Sequence, residues 1–431
     1  MSTKTPVGCL RCASRRLKIR SAYTSQNLYR ASRPFSKSAA HLSSSPVGQA
    51  KAEFESSQKY CLNLLRQVIH IFYFRLDTNQ DGNLTPTRKY DRPSYTLSTF
   101  IPRHTLSFYL ALRALNISLS MIPDTTSTPT IGLMRLQFWR DTISQTLAGK
   151  PPKEPIATLL AAALSELDTR TGGQARISKG WFLRMINSRE QYLTNTPYTS
   201  LSALESYAEN TYSTLLYLTL SALPLTSVTA DHLASHIGKA AGISAVLRGI
   251  PLIAFPPPPN HHSNQTGVLG GGIGAPGSHA RSGAITLPLD VMAETGLKEE
   301  DVFRHGAEAP GLRDAVFTVA TRASDHLITA RQMLKNLRAG QDVGHDFEHE
   351  GEEGHEYNNA STSDNDSGIA TSNAQLEEVE RAFGVLMPAL STSLWLDRLQ
   401  AVDFDIFKPE LRTSDWRLPW KAYWANRRRI F

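Results

Sequence analysis

The stretch Phe108-Tyr-Leu-Ala-Leu-Arg113-Ala-Leu-Asn116-Ile-Ser-Leu119-Ser120 decides the fold class. Around it apolar residues recur at Leu106, Leu110, Ala114, Ile117 and Met121. Steps of three and four residues put these side chains on one face of an α-helix. The same spacing returns on both sides of the chain: Leu136, Trp139, Ile143 and Leu147, then Leu204, Tyr207, Thr211, Leu215 and Leu218. Further on come Leu312, Val316, Val319, Ala323, Leu327, Ala330 and Leu334, followed by Leu376, Val379, Phe383, Leu386 and Leu390. No run of strict apolar–polar alternation competes with them. Long helices without strands predict an all-α bundle.

With 431 residues, 41% of them hydrophobic, the chain can bury one large core. Its formal charge of +7 suggests nucleic acid until its location is examined. Met1 to Ala52 holds ten of the 46 basic residues and no acid. The remainder carries 36 basic against 39 acidic residues, a net of −3, which excludes a nucleic-acid-binding body. The leader is rich in Arg, Ser and Ala and lacks the apolar core of a secretory signal, so residues 1–45 read as a mitochondrial transit peptide. Such a cationic segment is drawn toward a matrix-negative potential. Arg33-Pro34-Phe35-Ser36 resembles presequence cleavage sites.

Cys9 and Cys12 form a C-x-x-C without a second pair, inside that leader, so a zinc site is set aside. Cys61 reads as a small buried apolar residue. No stretch reaches the continuous apolar length of a membrane-spanning helix. The nearest approach, Asn210 to Ala230, reads as a buried core helix.

Three insertions, expected to be disordered, interrupt the helical pattern at 68–88, 256–283 and 340–372. Pro256 to Gly283 is Pro- and Gly-rich, and 340–372 is acidic and Ser/Asn-rich. The histidines of the latter, His345, His349 and His355, read as solvated. Asp77-Thr-Asn79-Gln-Asp81-Gly82 copies half of a calcium loop, but Arg88 stands where the bidentate Glu is required. Val68 to Arg88 also reads as a translated intron: Val codons begin GT, and Leu84-Thr85-Pro86-Thr87-Arg88 can encode a branch point and a terminal AG.

Phe108 to Ser120 resembles the first signature helix of the squalene and phytoene synthases. Ile237-Gly238-Lys-Ala240-Ala-Gly242-Ile-Ser-Ala245-Val-Leu247-Arg248-Gly249 resembles their second signature. Met134-Arg-Leu-Gln-Phe-Trp139, Tyr207-Ala-Glu-Asn210-Thr-Tyr-Ser213, Leu215-Leu-Tyr-Leu-Thr219 and Trp416-Arg-Leu-Pro419-Trp420 are similar to the branch of that family acting in mitochondrial complex I assembly. The resemblance implies an isoprenoid synthase-like helical domain over about 60–400, with an aromatic and basic tail at 401–431.

It also says where the chain departs from the enzymes. Those place two aspartate clusters on facing helices, where Mg²⁺ ions stabilise the diphosphate leaving group. Here Asn116, Leu119 and Ser120 occupy the first cluster, and Gly249, Leu252 and Ile253 the second. Gly242 and Ala245 stand in place of a polar pair one and two turns earlier. No catalytic residue, metal ligand or cofactor is therefore expected. Arg113, Tyr207 and Arg248 keep their family identities, either as binders of an anion or lipid or as buried hydrogen-bonding groups. Asp124 and Asp141 lie nearby; Asp124 reads as a helix-terminal capping or solvent-exposed residue.

The tail's Trp416, Trp420 and Trp424, with Arg427, Arg428 and Arg429, suit a membrane interface or a strap packed on the bundle. The expected function is non-catalytic assembly of respiratory complex I on the matrix side of the inner membrane. Expected partners are complex I subunits or intermediates, with peripheral membrane contact. The alternatives are an isoprenoid- or lipid-binding protein and a divergent prenyl transferase.

Overall fold

The computed structural model describes residues 46–66, 91–126, 128–173, 175, 177–223, 225, 228–256, 283–340 and 365–431. The chain runs through α1 (Pro46–Arg66), α2 (Arg92–Leu97), α3 (Arg103–Ser120) and α4 (Ile122–Thr125) into α5 (Pro129–Leu147) and α6 (Pro155–Thr171). It continues through α7 (Lys179–Gln191), α8 (Leu201–Ala208), α9 (Thr214–Ser221), α10 (Val228–Ala254), α11 (Leu289–Glu294) and α12 (Glu299–His305). The last elements are α13 (Leu312–Arg338), α14 (Asn365–Leu386), α15 (Pro388–Ala401) and α16 (Leu418–Arg428). No strand occurs among the described residues, as the periodicity predicts.

Local chemistry sets the ends of these helices. The Thr128 hydroxyl accepts from the Ile131 amide ahead of Pro129, and the Glu154 carboxylate accepts from the Ala157 amide at 2.7 Å ahead of Pro155. Each side chain satisfies an amide that the first turn leaves orphaned, and proline there sacrifices no hydrogen bond. Gly172 closes α6 in the left-handed region, at φ 59°.

α10 is the central helix, packed against α8, α9, α13, α14 and α15. It is the one helix among the described residues long and apolar enough to cross a membrane, with mean hydropathy 1.4, but 67% of that window is buried in the bundle. Asn210–Ala230 is not the single core helix expected. One turn of π-helix, Glu209–Ser213, joins α8 to α9, α9 stops at Ser221, and α10 begins at Val228. Two glycines let α10 reach this π turn. A Cβ on Gly238 would lie 2.3 Å from the Cα and Oγ of Ser213, and one on Gly242 would lie 2.5 Å from the Ala208 Cβ.

A polar chain crosses the otherwise apolar interior. His326 Nε2 donates to Glu205 Oε1 at 2.9 Å, the two Nδ1 atoms of His326 and His236 are 3.0 Å apart, and His236 Nε2 is 3.3 Å from His232 Nε2. With His326 donating to the carboxylate, every link closes if all three rings are neutral and each donates toward Glu205. Arg322 Nε adds an ion pair at 3.4 Å to the same oxygen.

Some sequence boundaries need correction. The run from Leu376 to Leu390 spans two helices, because Pro388 starts α15. α14 already begins at Asn365, inside the 340–372 stretch expected to be disordered. The 1–45 leader, the 68–88 segment with its calcium-loop and intron readings, residues 257–282 and residues 341–364, with all three of that insertion's histidines, lie outside the described residues. The 401–431 tail includes α16, whose Leu418, Ala422 and Ala425 are buried on the bundle.

Cys61 is fully buried, and burial pushes its thiol up to about 12. In the unfolded chain it ionises near its ordinary value of 9.0. The neutral buried thiol therefore favours folding below pH 9, and that contribution is lost as pH rises from 9 to 12. The expected result is that iodoacetamide at pH 8.5 leaves Cys61 unmodified in the native chain and alkylates it after denaturation. Peptide mapping reads the difference.

Candidate functional site

Residues near the ends of α3 and α10 converge on a cavity of about 410 Å³, a size suited to a small organic ligand. α3 contributes Arg113, Asn116, Leu119 and Ser120, and α10 contributes Ala245, Arg248, Gly249, Leu252 and Ile253. Tyr207 closes it from α8. Ten of the eleven positions singled out from the sequence as degenerate or retained therefore line one space. Gly242 does not: its missing side chain is what lets α10 touch α8, so it is a packing residue. Gly249 differs in kind, because a Cβ there would meet only Ile253 Cδ1, at 3.7 Å. The cavity has room at that point, and what it lacks is a polar group.

Arg189 on α7 belongs to the site although no sequence pattern marked it. Its guanidinium donates to Tyr207 Oη at 2.7 Å and to Asn116 Oδ1 at 2.9 Å, and lies 5.5 Å from the Tyr207 ring centroid. Its Nε is buried without a hydrogen-bond partner. Tyr192, Tyr198 and Tyr207 form a ring cluster with centroids 4.4 to 5.4 Å apart. Tyr212, inside the quoted string Tyr207–Ser213, completes the aromatic wall. Burial pushes the phenols of Tyr198 and Tyr207 up, so both stay neutral.

Arg113 is buried, 3.8 Å from Asp91. Burial works against its charge, but Tyr109 and Asp91 outweigh that and raise its pKa. Burial likewise opposes the charge of Arg189, and Tyr207 and Tyr212 reverse it, so the net shift is upward. Arg248 is lowered by burial, with Tyr212 and Asp91 opposing. Its side chain is exposed where it lines the cavity, with the guanidinium 5.5 Å from the Trp395 ring centroid. All three stay protonated at neutral pH because an arginine starts so far above it.

Among the described residues two carboxylates line the cavity, Asp91 and Asp124. Asp91 caps α2 by accepting from the Ser94 amide and pairs with Arg113. Asp124 sits in the short helix α4 at the cavity edge, not simply exposed beyond a helix end. Asp141 is exposed, accepts from Gln137 at 2.9 Å and stands apart from the cavity. Among the described residues no group of three or more His, Cys, Asp or Glu is placed to hold a metal ion. Magnesium needs hard oxygen ligands. Leu119, Leu252 and Ile253 supply none, so those positions do not fit a divalent cation cluster.

A helical bundle closed around one cavity between α3 and α10 is an isoprenoid synthase-like architecture. The chain overlays a dehydrosqualene synthase crystal structure with a TM-score of 0.54 at 12% identity, covering 88% of this chain and 99% of that one, a likeness of fold. The chain belongs to the squalene/phytoene synthase family, whose profile matches residues 87–252 and 276–344. It is 32% identical over 343 residues to a Rattus norvegicus protein named NADH dehydrogenase (ubiquinone) complex I, assembly factor 6, covering 79% of this chain and 80% of that one. The Homo sapiens protein of that name is 30% identical and covers 80% of each chain. A Drosophila melanogaster homolog is 32% identical over 57% of this chain and 65% of its own.

Proposed function

We propose that this chain is a non-catalytic mitochondrial assembly factor for respiratory complex I, NADH:ubiquinone oxidoreductase. In this reading it works early, on the membrane arm and from the matrix side of the inner membrane, by binding subunits or intermediates. The observation that carries the proposal is similarity over four-fifths of the chain to relatives named for complex I assembly. The acid-free leader supports a mitochondrial address. The cavity supports binding over prenyl transfer. Ionising an allylic diphosphate concentrates negative charge on the leaving group, and Asn116, Leu119, Ser120, Gly249, Leu252 and Ile253 offer no carboxylate to hold the cations that chemistry uses.

A second reading keeps the cavity in use. Arg113, Arg189 and Arg248 beside Leu252 and Ile253 suit an amphiphile with an anionic head, and the buried, unpartnered Nε of Arg189 is the observation that favours it. The experiment is a native gel of mitochondria from cells lacking the gene, stained in the gel for NADH dehydrogenase activity. Loss of the mature complex I band, with other respiratory complexes intact and rescue by the full gene, is the expected result. An unchanged band overturns the assembly reading. Rescue by Arg189→Gln separates assembly from ligand binding: full rescue removes the cavity from the mechanism.

A further inference from the structure

The C-terminal helix turns an aromatic stripe outward. Trp416 is 75% exposed, Trp420 68%, and Tyr423 and Trp424 53% each. At 3.6 residues per turn Trp420, Tyr423 and Trp424 share one face of α16 with Arg427, and Trp416 stands in the turn just ahead of the helix. Arg417, Lys421 and Arg428 follow one another along the edge of that face. Leu418, Ala422 and Ala425 are buried opposite, against the bundle. The helix is tied down at its end: Phe431 is buried, its carbonyl accepts from Arg331 Nε at 3.0 Å, and the Arg429 carbonyl accepts from Arg338. The stripe is thus held in place rather than carried on a loose tail.

We infer that α16 docks this chain on the surface of a bilayer carrying anionic phospholipid headgroups. The residues after Asp415 include five Lys or Arg in sixteen and no acid, so the patch complements anionic headgroups. Tryptophan and tyrosine settle at headgroup depth, with the apolar ring inward and the polar edge toward water. A helix with its rings down and its cations along the margin lies flat in the interface. Trp420, Trp424 and Ile430 also border an apolar groove against Leu390, which gives an acyl chain a place to lie. A row of cations with no acid would leave a protein partner's side of the contact uniformly acidic. A lipid surface meets that condition by composition alone.

The test uses the full chain with phosphatidylcholine vesicles, with or without a minority of phosphatidylglycerol, and with brominated acyl chains. Every tryptophan lies beyond the basic leader, the first being Trp139, so leader binding alone does not bring a ring to the bromines. Anionic vesicles are expected to quench the fluorescence and neutral ones to do so far less. Trp420→Ala/Trp424→Ala should abolish most of the quenching. Arg417→Gln/Lys421→Gln/Arg428→Gln should weaken partitioning by about fivefold per residue and remove much of its salt dependence. Circular dichroism checks that each variant is folded, and the glutamine variant carries the test if the alanine pair is not. Absence of quenching in the wild type overturns the inference, as does equal quenching in every folded variant. Self-association through this face, seen as a dimer in sedimentation that the alanine pair makes monomeric without any lipid effect, also overturns it. No outcome depends on complex I, so this inference can fail while the assembly reading stands.

Discussion

Gly238→Ala is expected to cost about 3 kcal/mol of folding free energy, the upper end of the overpacking range. The new methyl would fall 2.3 Å from Ser213 Cα, and backbone cannot rotate out of the way. α10 would have to move off the π turn. That turn's Ser213 hydroxyl donates to the Ser235 carbonyl at 3.0 Å, and its Tyr212 lines the cavity. Stability and cavity geometry should therefore suffer together. Gly249→Ala is the internal control. Its methyl meets nothing nearer than 3.7 Å, and alanine is favoured over glycine inside a helix by about 1 kcal/mol. Chemical denaturation of both variants should shift their midpoints in opposite directions. Equal shifts would refute the close approach of α10 to the π turn.

Glu205→Leu is expected to destabilise the chain by about 3 kcal/mol, with Glu205→Gln losing much less. Glu205 is 6% exposed, and its Oε1 receives both the His326 donor at 2.9 Å and the Arg322 ion pair at 3.4 Å. Leucine removes the acceptor at which the His232–His236–His326 chain ends and takes away the Arg322 counter-charge. Breaking a buried pair from one side typically costs 3–5 kcal/mol. The lower figure applies because Arg322 is partly exposed, so solvent screens its share. Glutamine keeps an acceptor oxygen for His326. Denaturant midpoints that order the three proteins otherwise would mean that the polar chain does not end at Glu205.

The site was legible in the sequence to an unequal degree. Arg113, Asn116, Leu119, Ser120, Arg248 and Gly249 sit inside two quoted strings on two helices, and a turn of helix is enough to put each set on one face. Arg189 has no such mark. Its neighbours Asn187, Ser188 and Glu190 read as an ordinary polar helix surface, and only the packing of α7 beside the π turn aims its guanidinium at Tyr207 and Asn116. Gly242 was legible as a glycine inside the second quoted string, but not the reason for it. Whether a missing side chain opens a cavity or closes a helix contact depends on what stands opposite, and opposite Gly242 stands Ala208.

The sequence by itself determined that the chain is helical, that its net positive charge lies in residues 1–52 and that Asn116, Leu119, Ser120, Gly249, Leu252 and Ile253 carry no carboxylate. These are properties of local spacing and composition, which the order of residues carries without reference to distant partners. Tertiary structure alone decided that the two signatures face one cavity, that a third arginine from α7 joins them and that Gly238 and Gly242 seat α10 on a π turn. It alone decided that α16 lies on the bundle with its tryptophans outward. Each of these joins residues far apart in sequence. The burial that stabilises such contacts comes from the packed bundle as a whole, so no single segment encodes them.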